Sequence, residues 1–146
     1  MRVLVASRRQ RHREQLNARE SLRQRGLRAT VVRVAILELL DTESAAVAHA
    51  DLFARLEGSH DRTTVFRTLT TLTRAGLVLR LDAGDRVWRY RRENVADASS
   101  SASFACRNCR RITELAGLSL VMSSPPRAIA RRQVDVIVRG ICDRCE

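Results

Sequence analysis

The sequence predicts an α+β protein made of two modules, and three patterns indicate this organisation. Apolar residues recur with a helical period up to about Gly76 and with a strand period of 2 over residues 77–91. The following stretch loses apolar residues and becomes rich in serine and alanine, as linkers do. Two Cys-x-x-Cys pairs then frame a second short segment. The predicted divisions are a mobile basic arm at 1–21, a first module at 22–92, a linker at 93–103 and a second module at 104–146.

The composition favours a polyanion as partner. The formal net charge is +11, and all 27 basic residues are arginine. Such a balance favours nucleic acid, although arginine usage also follows genomic composition. The apolar run at residues 3–6 is too short for a signal peptide, and no stretch reaches the ~20 residues of a membrane span. We therefore expect a cytoplasmic protein without a membrane partner.

The sequence lacks the motifs of common enzymes. It contains no Ser/His/Asp set, no His-Glu-x-x-His helix and no glycine-rich phosphate loop. We therefore expect neither catalysis nor a small-molecule substrate.

Three short helices are predicted in the first module. The first begins at the N-cap Thr30 and ends near Asp41, and the second covers about Ala48–Glu57. The third begins at Asp61, directly after a tight Gly-Ser-His connection, and ends at Gly76. Three short helices of which the third is polar on its outer face indicate a helix-turn-helix unit.

The third helix has a thin apolar stripe formed by Val65, Leu69 and Leu72. Its other face carries hydroxyls, arginine and one aromatic ring, with no carboxylate. These groups can bind phosphates, guanine and the thymine methyl, which predicts a helix that reads the major groove. The alternative is the solvated side of an ordinary amphipathic helix. The candidate DNA contacts on this helix are Thr63, Thr64, Phe66, Arg67 and Thr70.

A hairpin is predicted after the third helix. Two alternating strands, at residues 77–81 and 86–91, are joined by a turn at residues 82–85. A hairpin in this position forms the wing of a winged helix. Trp88 and Tyr90 share one strand face and are expected to pack, whereas Arg86 near the tip is a candidate phosphate contact or a solvated side chain.

Four cysteines predict a metal site. Cys106 and Cys109 form one Cys-x-x-Cys pair, Cys142 and Cys145 form the other, and 32 residues separate the pairs. Two such loops can complete a tetrahedral four-thiolate site, for which zinc is the expected ion, one per chain. Such a site has no open position and is therefore structural. Free thiols and two disulfides are the alternatives, and an oxidoreductase fits less well because neither pair opens a helix in a βαβ unit.

Short strands are expected around the cysteines. They are predicted at residues 104–106, 112–115 and 134–139, with Val134, Val136 and Val138 on one face of the third. Together they make the second module a small α/β domain stapled by zinc.

These motifs together resemble the ferric uptake regulator family of bacterial repressors over residues 22–146. The segment Gly26–Arg33 is similar to the family's entry helix, and Thr64–Arg67 is similar to its recognition helix. The two cysteine pairs are similar to the structural zinc site of its dimerisation domain. The resemblance implies a homodimer that represses transcription by binding a palindromic operator in double-stranded DNA. It also implies base or backbone contacts by Phe66, Arg67 and Arg28, the last towards the minor groove.

The sequence departs from the family where a sensory metal normally binds. The segment before the first cysteine pair is Ser99–Ser103 instead of histidine-rich, Ala46 replaces an expected histidine, and Arg89 replaces a carboxylate of the wing. His49 and His60 flank the second helix and are interpreted as surface or capping side chains. We therefore identify no sensory metal site in the sequence and expect DNA binding that does not depend on one.

One alternative function remains open. A zinc-dependent structural or adaptor protein could pair with another regulator without binding specific DNA itself. A stable homodimer that binds promoter fragments would favour the repressor.

Overall fold

A computed structural model describes residues 17–56, 60–93, 102–115, 118, 123–124 and 136–146. No helix in these parts of the chain is long and apolar enough to cross a membrane. The elements are, in chain order, α1 over residues 17–24, α2 (Val31–Asp41), β1 (Val47–Ala48), α3 (His49–Arg55), α4 (Arg62–Arg74), β2 (Val78–Asp82), β3 (Trp88–Arg92), β4 (Ala102–Cys106), β5 (Ile112–Glu114) and β6 (Val136–Gly140).

Helix α1 extends the first module beyond the boundary predicted at residue 22. Residues 17–21 are helical, and Ala18 and Leu22 are fully buried in the core formed with α2, α3 and α4. The two side chains lie four residues apart, so they form a narrow stripe on one face of the helix. The stripe is difficult to recognise in the sequence, because most of the residues around it are arginine or other polar residues. The remainder of the predicted arm lies outside the described residues.

Helix α4 is fixed at both ends by its sequence. The Asp61 side chain accepts a hydrogen bond of 2.8 Å from the backbone N–H of Thr64, which makes it the N-cap. At the other end Gly76 has φ 67°, and the N–H of Leu77 donates to the Leu72 carbonyl at 3.0 Å. This is a Schellman ending, which favours glycine because of the positive φ. Val65, Leu69 and Leu72 are fully buried, as their spacing predicted.

The wing contains one strand more than the predicted hairpin. Its sheet has the order β1-β3-β2, and Val47 pairs with Tyr90. Strand β1 has only two residues, which is too short for a strand period to be visible in the sequence. The predicted start of the second helix therefore moves by one residue, to His49.

The wing sheet has a different neighbour on each face. Val78 and Tyr90 point into the helical core. Leu79 and Leu81 face the other way, where Leu81 packs with Ala105 and Ile112 of the second module. The sheet therefore packs against the helical core with one face and against the second module with the other.

Trp88 does not pack as the sequence suggested. It shares the face of the buried Tyr90 but is 45% exposed, because it lies near the tip of the hairpin. The Arg80 guanidinium lies 4.2 Å from the centre of its ring, in a cation–π contact.

The second module contains a sheet of order β5-β4-β6. Strand β4 pairs antiparallel with β5 and parallel with β6. It begins at Ala102, inside the predicted linker, whose residues 94–101 are not described. The predicted third strand is described from Val136, and Val134 lies outside the described residues. Gly140 fits closely at the end of β6, because a Cβ there would lie 3.0 Å from the Phe104 ring, which would have to shift.

Candidate DNA-binding surface and metal centre

Helix α4 presents the predicted DNA contacts on the side opposite its buried stripe. Phe66 is 49% exposed, and Thr63 and Arg67 are also exposed. Because Val65, Leu69 and Leu72 anchor the helix, these side chains project from a fixed support. A bulky aromatic ring left in solvent beside an arginine is typical of a surface that contacts a partner.

The threonine hydroxyls of α4 are largely engaged within the helix. Thr70 Oγ donates to the Phe66 carbonyl at 3.0 Å, and Thr64 Oγ donates to the Asp61 carboxylate at 2.6 Å. The bond from the Thr64 hydroxyl, and next the bond from the Thr64 N–H, lower the pKa of Asp61 below its usual value. Each hydroxyl has one proton to donate, so neither can also donate to a phosphate without losing its present bond. Both oxygens can still accept hydrogen bonds from base amino groups.

The two remaining candidate arginines lie on separate loops. Arg28 is exposed between α1 and α2, and its carbonyl accepts a bond of 2.8 Å from Arg33. Arg86 is exposed in the wing hairpin with φ 62°, in the left-handed region. Both guanidinium groups are accessible to solvent and available for phosphate contacts.

The four cysteines converge on one point. Their sulfur atoms all lie within 4.8 Å of one another, and Sγ of Cys109 lies 3.7 Å from Sγ of Cys142. A tetrahedral zinc site with bonds of ~2.3 Å places its sulfurs about 3.8 Å apart. A disulfide would need about 2.05 Å. The spacing therefore fits a four-thiolate metal site and excludes a disulfide between Cys109 and Cys142 in this structure.

Local electrostatics favour the thiolate at Cys106 and disfavour it at Cys145. The backbone N–H groups of Cys109 and Cys142 point at Cys106 and lower its pKa to about 6. The neighbouring thiols, Cys142 first, raise the pKa of Cys145 to about 12. Four thiols this close can all ionise only if a cation offsets their charge, which a divalent metal does. In the described parts of the chain, these cysteines are the one cluster of His, Cys, Asp or Glu with metal-site geometry.

The positions of the expected sensory site carry other contacts. Arg89 forms a forked ion pair with Asp85, at 2.7 and 2.8 Å, which lowers the Asp85 pKa and raises that of Arg89. Ser103 is buried and accepts a bond of 3.3 Å from Arg91. Ala46 offers no ligand atom in its side chain, and its N–H donates to the Ile112 carbonyl at 2.8 Å.

Arg91 joins the wing to the second module. It is only 7% exposed, and its guanidinium lies 2.9 Å from the Glu114 carboxylate. A second polar link runs from Arg111 to the Ser44 hydroxyl at 3.0 Å. An arginine thus lies where the two modules meet, and its charge disfavours a metal cation there.

A comparison of the sequence with protein-family profiles identifies the family of the chain. The sequence profile of the ferric uptake regulator family matches residues 24–133. The chain belongs to this family. Its members are metal-responsive, DNA-binding regulators of transcription rather than enzymes. No curated protein matches the chain.

Solved structures of ferric uptake regulator family proteins share this fold. The regulator of Helicobacter pylori has a TM-score of 0.61 at 16% identity, covering 99% of this chain and 97% of its own. A zinc uptake regulator solved with zinc and DNA has a TM-score of 0.65 at 21% identity, covering 92% and 94%. The regulator of Pseudomonas aeruginosa, solved with manganese, has a TM-score of 0.57 at 23% identity, covering 84% and 97%.

Sequence reasoning missed one residue beside the candidate site. His49 was interpreted as a surface or capping side chain, but its ring lies against Phe66, with centroids 5.9 Å apart. No periodicity or motif connects these two residues, because the contact forms only when α3 crosses α4.

Proposed function

We propose that this ferric uptake regulator family protein is a repressor that binds a palindromic operator as a homodimer, with one structural zinc ion per chain. The observation that carries the proposal is the exposure of Phe66 and Arg67 on a helix whose opposite face is anchored in the core. Arginine can fork onto guanine, and an aromatic edge can contact the thymine methyl. The charge of +11 adds attraction to the phosphate backbone.

The edge strand β6 supports the homodimer. It pairs with β4 on one side, and no strand of the described ranges pairs with its other side. Val138 on this strand is 41% exposed and Ile141 just beyond it is 54% exposed. An apolar, unpaired edge favours association with a second copy, which also gives the twofold symmetry that a palindrome requires.

The four cysteines are proposed to bind zinc for structure rather than catalysis. Four protein ligands fill a tetrahedral ion and leave no place for substrate or water. The zinc uptake regulator with the same fold was solved with zinc, which agrees with this choice of metal. The ion would tie the turn after β4 to the C-terminal loop.

Substitution of Arg67 tests the DNA-reading surface. Duplexes selected from a random pool by the wild-type protein serve as the probe. Arg67→Ala should weaken binding to them by about 1–3 kcal/mol, because a base contact is lost. Electrophoretic mobility shift at fixed salt measures the loss.

Two other arginines serve as comparisons. Arg74→Ala removes another exposed arginine, from the last turn of α4, and should have little effect on specific binding. Arg86→Ala should weaken binding to selected and to random duplexes by a similar factor, since a phosphate contact carries no sequence information. If Arg67→Ala bound the selected duplex like the wild type, the assignment of α4 would fail. A dimer that selected no sequence would instead favour the adaptor function.

A further inference from the structure

Two ring contacts join α3 to the first turns of α4. The His49 ring meets the Phe66 ring edge to face, with an interplanar angle of 77°. One turn further along α3, the Arg62 guanidinium lies 5.1 Å from the centre of the Phe53 ring. Both pairs use residues four apart on each helix, so they lie side by side. The face of α3 that meets the start of α4 is therefore built from rings.

The His49 imidazole packs against Phe66 and makes no hydrogen bond through its Nε2 atom in the described parts of the chain. This nitrogen atom is buried. Burial, and then the charge of Arg62, lower the pKa of His49, which favours the neutral form of the ring. A buried polar atom without a partner is costly, and such atoms are rare in folded proteins. The observed geometry uses the ring as a support for Phe66 rather than as a hydrogen-bonding group.

Phe66 needs such a support. Half of its side chain is exposed, and an exposed aromatic ring on a helix can change its rotamer freely unless a neighbour restricts it. A ring that must be ordered when DNA binds reduces both affinity and discrimination, whereas a ring held in place beforehand does not. His49 contacts one side of the ring and leaves the other free.

We propose that His49 is a positioning residue that fixes the Phe66 ring so that its free edge meets the C5-methyl group of a thymine in the major groove. This inference rests on the DNA-binding function proposed above. It places the residue that positions Phe66 on α3, outside the recognition helix. Thymine follows from chemistry, because its methyl group is the apolar feature that the major groove offers to an aromatic edge.

The experiment compares thymine with deoxyuridine, which lacks only this methyl group. Duplexes selected by the wild-type protein are resynthesised with single thymines replaced. The wild type should lose about fourfold in affinity at one position per half-site, the value of one buried methyl group. Phe66→Ala should abolish this sensitivity. His49→Ala should reduce it to less than twofold while binding to random duplexes stays unchanged.

Two further variants separate positioning from folding. His49→Phe retains a ring against Phe66 and should restore the discrimination. His60→Ala removes a histidine from the connection between α3 and α4, for which the described residues show no ring contact to Phe66, and should leave the discrimination intact. Circular dichroism verifies the fold of each variant, and His49→Gln replaces His49→Ala if that variant does not fold.

The possible outcomes distinguish the two proposals. A Phe66-dependent methyl sensitivity that survives in His49→Ala would overturn the positioning role. A selected duplex with no methyl sensitivity at any thymine would overturn the thymine assignment, and with it this inference. A wild-type protein that selects no sequence would contradict the proposed function itself.

Discussion

Arg110 follows the first cysteine pair with φ 63°, a conformation that glycine adopts at no steric cost. Its N–H donates to the Cys106 carbonyl at 3.1 Å, which closes the turn of the first cysteine pair. The backbone of Arg110 is therefore strained, because a positive φ brings Cβ close to the following carbonyl oxygen.

Arg110→Gly should stabilise the protein. Relief of the left-handed strain is worth roughly 1–2 kcal/mol, and the greater freedom of glycine in the unfolded chain offsets about 0.5–1 kcal/mol. A net gain of about 0.5–1 kcal/mol is expected in urea unfolding of the zinc-loaded protein. Arg107→Gly is the matched control, since Arg107 is exposed and lacks a positive φ, and it should destabilise.

The Asp85–Arg89 pair predicts a dependence of stability on acid pH. The hydrogen bonds that Arg89 donates to the Asp85 carboxylate lower the folded-state pKa of Asp85 from the ordinary value of 3.8. The unfolded chain then binds more protons in acid, so the contribution is complete above about pH 5 and is lost as pH falls through the lowered pKa. Melting temperatures of the wild type and Asp85→Asn should therefore converge below the ordinary pKa. A gap that stayed constant down to pH 2.5 would contradict this role.

Residue roles that depend on local spacing could be predicted, and those that depend on crossing elements could not. The four cysteines are visible because each pair spans one turn. His49 gave no signal because its partner Phe66 lies on another helix. Trp88 was misjudged because its face of the sheet is buried at Tyr90 but extends beyond the core at the tip.

At the scale of elements, α4 combines weak helix formers with strong ends. Threonine has a low helix propensity, but Asp61 caps one end and the Gly76 Schellman turn closes the other. Its period and caps made this helix predictable within a residue. Elements that lack such signals were missed, namely the two-residue strand β1 and the arginine-rich helix α1.

The zinc loops are expected to control the second module. Cys142→Ser should lower the zinc content below one per chain, because a serine hydroxyl is a weak ligand for zinc. The strand β6 ends two residues before Cys142, so loss of the metal should also loosen that edge and dissociate the dimer. Elemental analysis and light scattering measure the two effects. A variant that kept its zinc and remained dimeric would exclude the structural role.

At the scale of the whole molecule, the wing sheet lies between the helical core and the second module. Apolar side chains, among them Leu81 and Ile112, cover one side of it, and Arg91 links it to Glu114. This packing holds the two modules together through protein contacts. The arrangement predicts a DNA-competent form that does not require a sensory ion.

A metal titration tests this independence. Manganese, iron or zinc added to protein that already holds its structural zinc should change affinity for the selected duplex by less than about twofold. A rise of tenfold or more, about 1.4 kcal/mol of coupling, would contradict the prediction if His49→Ala or His60→Ala abolished it. His49→Phe is the control that keeps a ring against Phe66 while removing the ligand atoms.

The cation–π contact at the wing tip has a spectroscopic consequence. The chain contains a single tryptophan, Trp88, and its half-exposed indole lies under Arg80. All intrinsic tryptophan emission therefore originates from the wing, with no label required. A colorimetric chelator in the same cuvette detects the release of zinc and so reports on the opposite end of the chain. The order of the two signals during unfolding would show whether the modules melt together or one after the other.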